Sequence, residues 1–197
     1  SVSDFKIIQP PKDRFWADPI LVQREDKNYL FFEELPFSTN RGFLSVVEIN
    51  ENGFSGPITP ILEKPYHLSY PFIFELEDTY YMIPESNKNK DIQLYECTNF
   101  PYEWKHKMDL MTDVVAVDTT LFYHNEKWWM FTLISECKGI GKNDELFLFY
   151  SDNPFAQDWK SHTQNPIISD VRSARPGGSI FIQDGKIIRP SQDCSKK

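Results

Sequence analysis

Four times along this chain the same order of segments recurs: an acidic or proline-containing tripeptide, an apolar run, a tight polar turn and a second run rich in aromatics. The copies open at Trp16-Ala17-Asp18-Pro19, Ser69-Tyr70-Pro71, Val117-Asp118-Thr119 and Arg175-Pro176-Gly177. Their turns fall at Glu25 to Asn28, Glu77 to Thr79, His124 to Lys127 and Asp184-Gly185. Steps of about 50 to 60 residues match one four-stranded propeller blade with its loops, so the repetition constrains the fold before any single residue is interpreted.

The rest of each copy agrees. A third stretch, at Phe43 to Ile49, Ile92 to Glu96 and Leu146 to Tyr150, alternates with period two, and Ser45, Gln93 and Glu96 are expected to face away from the apolar side chains. More polar stretches at Ile58 to Glu63, Trp104 to Leu110 and Trp159 to Thr163 suit outer edge strands, where Pro60 removes no ladder bond. Fourteen prolines argue against long helices. An all-β single domain over 1–197 is predicted, with blades at about 14–63, 67–110 and 115–165 and a partial blade at about 173–197. Rings typically need about four to eight blades, so the remainder is expected from another segment or chain. A start at Ser1-Val2-Ser3 reads as a piece cut from a longer polypeptide or as a processed terminus.

Net charge −8 and a pI near 5.0 exclude phosphate-backbone binding as the main task, so no nucleic-acid partner is expected. No apolar run is long enough for a membrane span, and no membrane insertion is expected. Cys97, Cys137 and Cys194 lack zinc or redox spacing and read as reduced thiols of a cytoplasmic protein. The four histidines, His67, His106, His124 and His162, have no metal-ligand spacing and are expected to face solvent; no metal or other cofactor is predicted. Gly139 to Lys142 lacks the glycine spacing of a phosphate loop and reads as a hairpin tip.

In a blade, the residue opening the first strand and the residue closing the second lie at one end of the sheet. That rule gathers Asp18, Tyr70, Asp118 and Arg175 around one mouth, with Glu33, Glu34, Glu85, Ser135 and Asp193 in a second ring. Asp18 and Asp118 occupy equivalent positions, and two converging carboxylates are the minimum apparatus for glycoside hydrolysis. An aspartate before Pro or Thr also caps a turn, which is the plainer reading for either one alone. Trp16 and Tyr70 are candidate sugar-stacking residues. The Trp128-Trp129 pair, mid-strand, reads as packing between blades. Arg14, Arg175 and Arg189 suit an acidic ligand or, by preference, neutralise Asp18, Asp118 or Asp193. An arginine beside Asp18 is expected to keep that carboxylate ionised.

Trp16-Ala17-Asp18-Pro19 and Val117-Asp118-Thr119 resemble motifs of the five-bladed propellers of family-43 glycoside hydrolases and their furanosidase relatives. The resemblance implies a five-bladed ring with Asp18 as general base and Asp118 as modulator of the acid. It departs at the fourth copy, where the acid motif Glu-Gly-Pro is replaced by Ala174-Arg175-Pro176-Gly177, and an arginine holds its proton too tightly to donate it. Glu34 and Glu85 remain as acids outside the motif. Arg14-Phe15-Trp16-Ala17-Asp18-Pro19, Tyr29 to Glu34 and Arg189-Pro190-Ser191-Gln192-Asp193-Cys194 are similar to the propeller domain that precedes the transferase domain in plant glucosamine inositolphosphorylceramide transferases. This implies a carbohydrate setting and a further domain in the same polypeptide.

The favoured reading is thus a glycan-recognition propeller accompanying a sugar-modifying or glycosyltransferase activity. Asp18, Asp118 and Glu85 are its candidate reactive groups; Arg14, Trp16, Glu34, Tyr70, Arg175, Arg189 and Asp193 are its candidate substrate contacts. The alternatives are a glycoside hydrolase and a propeller that binds protein.

Overall fold

The computed structural model describes residues 7–135 and 143–195; Cys137 and the Gly139–Lys142 tip lie outside them. Among the described residues there is no helix, and the architecture is all-β. The first sheet holds β1 (Arg14–Arg24), β2 (Lys27–Pro36), β3 (Phe43–Asn50), β4 (Gly53–Phe54) and β5 (Thr59–Leu62). The second holds β6 (Ser69–Leu76), β7 (Thr79–Glu85), β8 (Asp91–Asn99) and β9 (Glu103–Thr112). The third holds β10 (Ala116–His124), β11 (Lys127–Ile134), β12 (Glu145–Ser151), β13 (Lys160–Ser161) and β14 (Ile168–Ser169). A hairpin of β15 (Phe181–Gln183) and β16 (Lys186–Ile188) follows.

Each opening hairpin is closed by a two-residue turn: Glu25-Asp26, Glu77-Asp78, Asn125-Glu126 and Asp184-Gly185. In the last three both turn residues have positive φ, from 50° to 73°. That is the type I′ geometry whose twist matches the strands it joins. Only the last carries the Asp-Gly signature; the others place Glu, Asp or Asn in the left-handed region.

Side chains alternate between two neighbours, which explains the unbroken apolar runs. Met82 packs with Ile20, Phe31 and Leu44 of the first sheet, while Tyr81 and Ile83 on either side of it pack with Leu121 and Met130 of the third. A strand covered on both faces needs no polar face. The same double coverage buries polar side chains of the third strands, Ser45 and Gln93 among them. Ser45 Oγ donates to Glu34 Oε1 at 2.6 Å, and Gln93 Nε2 donates to Asp91 Oδ2 at 2.8 Å while its Oε1 accepts from Tyr66 and Tyr95. Trp128 lies 5.5 Å from Phe74 across the second and third sheets, whereas Trp129 stays within its own sheet, 5.6 Å from Tyr150.

Candidate functional site

The first strands β1, β6 and β10 are neighbours, and each carries the same irregularity near its start. Register slips between Ala17 and Ile20, between Ser69 and Phe72, and between Val117 and Thr120. Inside the three bulges Asp18, Tyr70 and Asp118 have φ of 50°, 42° and 51°. None is glycine. Left-handed geometry costs an L residue about 1–2 kcal/mol, tolerable for Asp and unusual for Tyr. A bulge re-aims a side chain, and here three of them turn these residues toward one another.

Asp18 Oδ2 accepts the Tyr70 backbone N–H at 3.3 Å. Tyr70 is buried; its hydroxyl oxygen accepts the Gly178 N–H at 3.1 Å and shares a hydrogen bond with Thr120 Oγ1 at 2.8 Å. One phenol therefore ties the second sheet to the third and to the fourth segment. Tyr70→Phe removes a buried partner from both, and a loss of about 1–2 kcal/mol is expected in a urea denaturation series. An unchanged midpoint and slope contradict this role.

Asp118 is fully buried. Arg175 Nε donates to its Oδ2 at 2.6 Å and Gln192 Nε2 donates to the same oxygen at 3.2 Å. Arg175 Nη1 also reaches Asn143 Oδ1 at 3.2 Å. Asp118 Oδ1 and Glu85 Oε2 are both buried and have no hydrogen-bond donor among the described residues. Burial first, then the charge of Asp118, push the Glu85 carboxyl well above the usual range. Asn87 Nδ2 holds its other oxygen.

Cross-strand pairing defines the second ring: Ala17 faces Glu33, Ser69 faces Glu85, Val117 faces Leu133 and Pro176 faces Ser191. Glu33 is buried, and burial followed by the charges of Asp18 and Asp118 raises it to about 7. His67 stands beside it, Nε2 3.3 Å from Glu33 Oε1. Because His67 Nδ1 accepts the Gly42 N–H at 2.9 Å, the neutral ring carries its proton on Nε2, toward Glu33. A Cβ on Gly42 would meet Glu33 Oε1 at 2.5 Å, so only glycine permits this approach. Burial, then Lys88, lowers the His67 pKa. His67 is therefore a half-buried partner of Glu33, contrary to the solvent-facing expectation.

Several sequence candidates lie elsewhere. Glu34, one residue on from Glu33, points to the opposite face of β2, where its carboxylate takes Arg14 Nη1 at 2.9 Å, Trp16 Nε1 at 3.2 Å and Ser45 Oγ. Trp16 packs edge-on against Phe32 at 5.3 Å on that face, so it is no floor for the carboxylate cluster. Arg14 pairs with Asp13 and Glu34 rather than with Asp18. Arg189 donates to the carbonyls of Ala174 and Ser173, bracing that segment. Asp193 is exposed and bonds Ser195. Its neighbour Gln192 reaches Asp118 instead. The Gln192 N–H bonds Arg175 O at 2.9 Å, which gives the pair the register that Trp16 and Glu34 share on the first sheet. Arg175 is thus not in the register of Asp18; its long side chain reaches the cluster from two positions earlier. Ser135 sits just beyond β11, its N–H on Val115 O.

The cluster holds the carboxyl groups of Asp18, Glu33, Glu85 and Asp118 against one guanidinium. Burial, then the Asp118 charge, raise Asp18, while Arg175 favours its charged form. Burial works against the Arg175 charge, but the hydrogen bond and charge of Asp118 hold it in place. Among the described residues no three His, Cys, Asp or Glu side chains converge to hold a metal ion. Asp18 and Arg175 remain partly open to solvent, so the arrangement offers one carboxylate and one fork of N–H donors to a polyhydroxyl ligand.

Comparison with known proteins agrees in setting. Residues 6–197 match the family model described as glucosamine inositolphosphorylceramide transferase 1, N-terminal. The chain is 41% identical over 184 residues to the glucosamine inositolphosphorylceramide transferase 1 of Oryza sativa subsp. japonica and 36% identical over 185 residues to that of Arabidopsis thaliana. In each case 92% of this chain is covered, and it spans only 24% of the relative's length. Among solved structures it resembles a thermostable family-43 glycoside hydrolase (TM-score 0.59, 13% identity, 90% of this chain and 76% of that one). It also resembles the RS223 beta-xylosidase (0.63, 15%, 88% and 63%) and a family-43 enzyme of Xanthomonas citri complexed with xylotriose (0.63, 13%, 86% and 60%). These likenesses establish a propeller-like fold.

Proposed function

We propose, from the premise that this chain belongs to the family of glucosamine inositolphosphorylceramide transferase 1 N-terminal domains, that it is a carbohydrate-recognition propeller accompanying a glycosyltransferase activity of the same polypeptide. The sugar sits at the axial mouth, where the Asp18 carboxylate accepts from its hydroxyl groups and Arg175 donates to its oxygens. The observation that carries this reading is the set of three left-handed bulges aiming Asp18, Tyr70 and Asp118 at one point, a strained arrangement of the kind functional sites retain. Recognition is favoured over cleavage because the fourth segment brings to the cluster the Arg175 guanidinium, which holds its proton too tightly to act as a general acid.

Asp18→Asn keeps an oxygen for the Tyr70 N–H while removing the charge. It is expected to weaken glycan binding at least about tenfold, the loss of one charge-assisted hydrogen bond, with the unfolding midpoint little changed. Calorimetric titration of both proteins checks this, and equal affinities remove Asp18 from the site.

One observation supports a hydrolytic reading: Glu85 is buried beside Asp118, whose charge favours the protonated carboxyl. In that reading Asp18 is the general base, Asp118 tunes the acid and Glu85 is the proton donor. Release of reducing ends from a glycan panel, lost in Asp18→Asn, would favour it.

A further inference from the structure

Strand pleating divides the mouth end of the first sheet between two faces. Arg14 and Trp16 both bond Glu34 on one of them. Phe15 pairs with Leu35 and Ala17 with Glu33, so these four share the other face. Farther from the mouth that face packs on the second sheet, where Phe31 is fully buried in one cluster with Met82. At the mouth end it stands free, and Phe15 is 52% exposed. Glu33 is the carboxyl group that a ligand reaches from this side. Glu85 Oε2 and Asp118 Oδ1 are sealed from solvent without a donor. Glu33 has no oxygen sealed in that way, and its side chain keeps 7% of its surface. His67 Nε2 stands 3.3 Å from Glu33 Oε1, with Nδ1 anchored by the Gly42 N–H. Three residues of strand, about 10 Å, separate Phe15 from Asp18, a spacing for successive rings of a sugar chain rather than for one ring.

We propose that Phe15, Glu33 and His67 form a second subsite, between the first and second sheets, for an uncharged pyranose ring linked to the sugar at Asp18 and Arg175. This subsite rests on carbohydrate recognition at the Asp18–Arg175 mouth. The ring lays its C–H face on Phe15, and one of its hydroxyl groups bonds the Glu33 carboxyl. Glu33 serves a hydroxyl in either state, since it donates when protonated and accepts when ionised. An uncharged ring is selected because Asp18, Glu33, Glu85 and Asp118 face one guanidinium, with Lys88 acting on His67 from the turn between β7 and β8. Burial, then the negative charge of their neighbours, already raise Asp18 and Glu33, so a further anion is repelled. Trp16, the aromatic that the sequence singles out, lies on the opposite face and takes no part.

Calorimetric titration of the full-length polypeptide with neutral gluco-, galacto-, manno- and xylo-oligosaccharides of two to four rings, and with their monosaccharides, tests this. For an oligosaccharide whose binding Asp18→Asn weakens, Phe15→Ala and Glu33→Leu are each expected to lower the affinity at least about tenfold. Phe15→Trp is expected to preserve it. Tyr102→Ala, which removes a comparably exposed ring between β8 and β9 at the other end of the sheets, is expected to leave it unchanged. The monosaccharide, held at Asp18 and Arg175, is expected to bind Phe15→Ala as tightly as the unaltered protein. Binding that falls in Asp18→Asn but is unchanged in Phe15→Ala overturns the subsite and leaves recognition at the mouth standing. A monosaccharide weakened by Phe15→Ala as much as its oligosaccharide also overturns it, since the whole mouth is then distorted. A uronate-containing counterpart bound more tightly than the neutral chain overturns the choice of an uncharged ring. Failure of every sugar to bind the unaltered protein overturns the subsite and recognition together.

Discussion

Raising the pH from 5 to 8 is expected to destabilise the domain by about 2.5 kcal/mol through Glu33 alone. In the folded state burial and the neighbouring aspartates lift Glu33 from 4.5 to about 7. Between those values the native protein holds a proton that the unfolded chain has released. Unfolding therefore becomes easier as pH rises through the window, and the Glu33 contribution is fully present only below it. Glu85 and Asp18 are shifted the same way and add to the slope. His67 opposes it, since its lowered pKa makes the native state the poorer proton binder just below 6.5. Glu33, lifted to about 7, sets the sign within the window. Asp170, held down to about 2 by Arg172, titrates below the window. Urea denaturation at each pH measures the slope, and Glu33→Gln is expected to flatten it. Stability that rises steadily from pH 5 to 8 contradicts this electrostatic picture.

Arg175→Met is expected to cost about 3–5 kcal/mol, because removing one partner of a buried ion pair leaves the other uncompensated. Asp118 has no exposed surface and loses its 2.6 Å partner, while its bond from Gln192 remains. Adding Asp118→Asn removes the stranded charge, so the double variant is expected to be more stable than Arg175→Met alone. A double-mutant cycle read by chemical denaturation gives the coupling. Additive effects imply that Arg175 acts through packing rather than through Asp118. The pair also explains why the fourth segment folds back onto the third sheet: Arg175 reaches Asp118 while Gly178 meets Tyr70, and Arg189 braces the intervening carbonyls.

The strands were legible because aromatic and β-branched runs bounded by short polar turns have few other solutions, and Asp18 and Asp118 were legible because they interrupt such runs at matching places. What escaped was decided by single-residue register. Glu33 and Glu34 are adjacent and equally acidic, yet strand pleating sends one to the aspartates and the other to Arg14. The end of the second run in the fourth copy points to Asp193, while neutral Gln192 has the register that reaches Asp118. The bulges left no mark either: Tyr70 adopts φ of 42° without glycine, because the surrounding contacts impose it. His67 stands alone in sequence, and its pairing with Glu33 depends on Gly42 from a different loop. Gly42 beside a strand start was the one available signal, since a missing Cβ permits close approach.

Carbohydrate recognition at the Asp18–Arg175 mouth is tested most directly by calorimetric titration of a broad glycan panel against the full-length polypeptide and its Asp18→Asn variant. Saturable binding of at least one glycan, weakened in the variant and accompanied by no release of reducing ends, is the expected result. A flat titration across the panel, or binding that the variant leaves untouched, contradicts it.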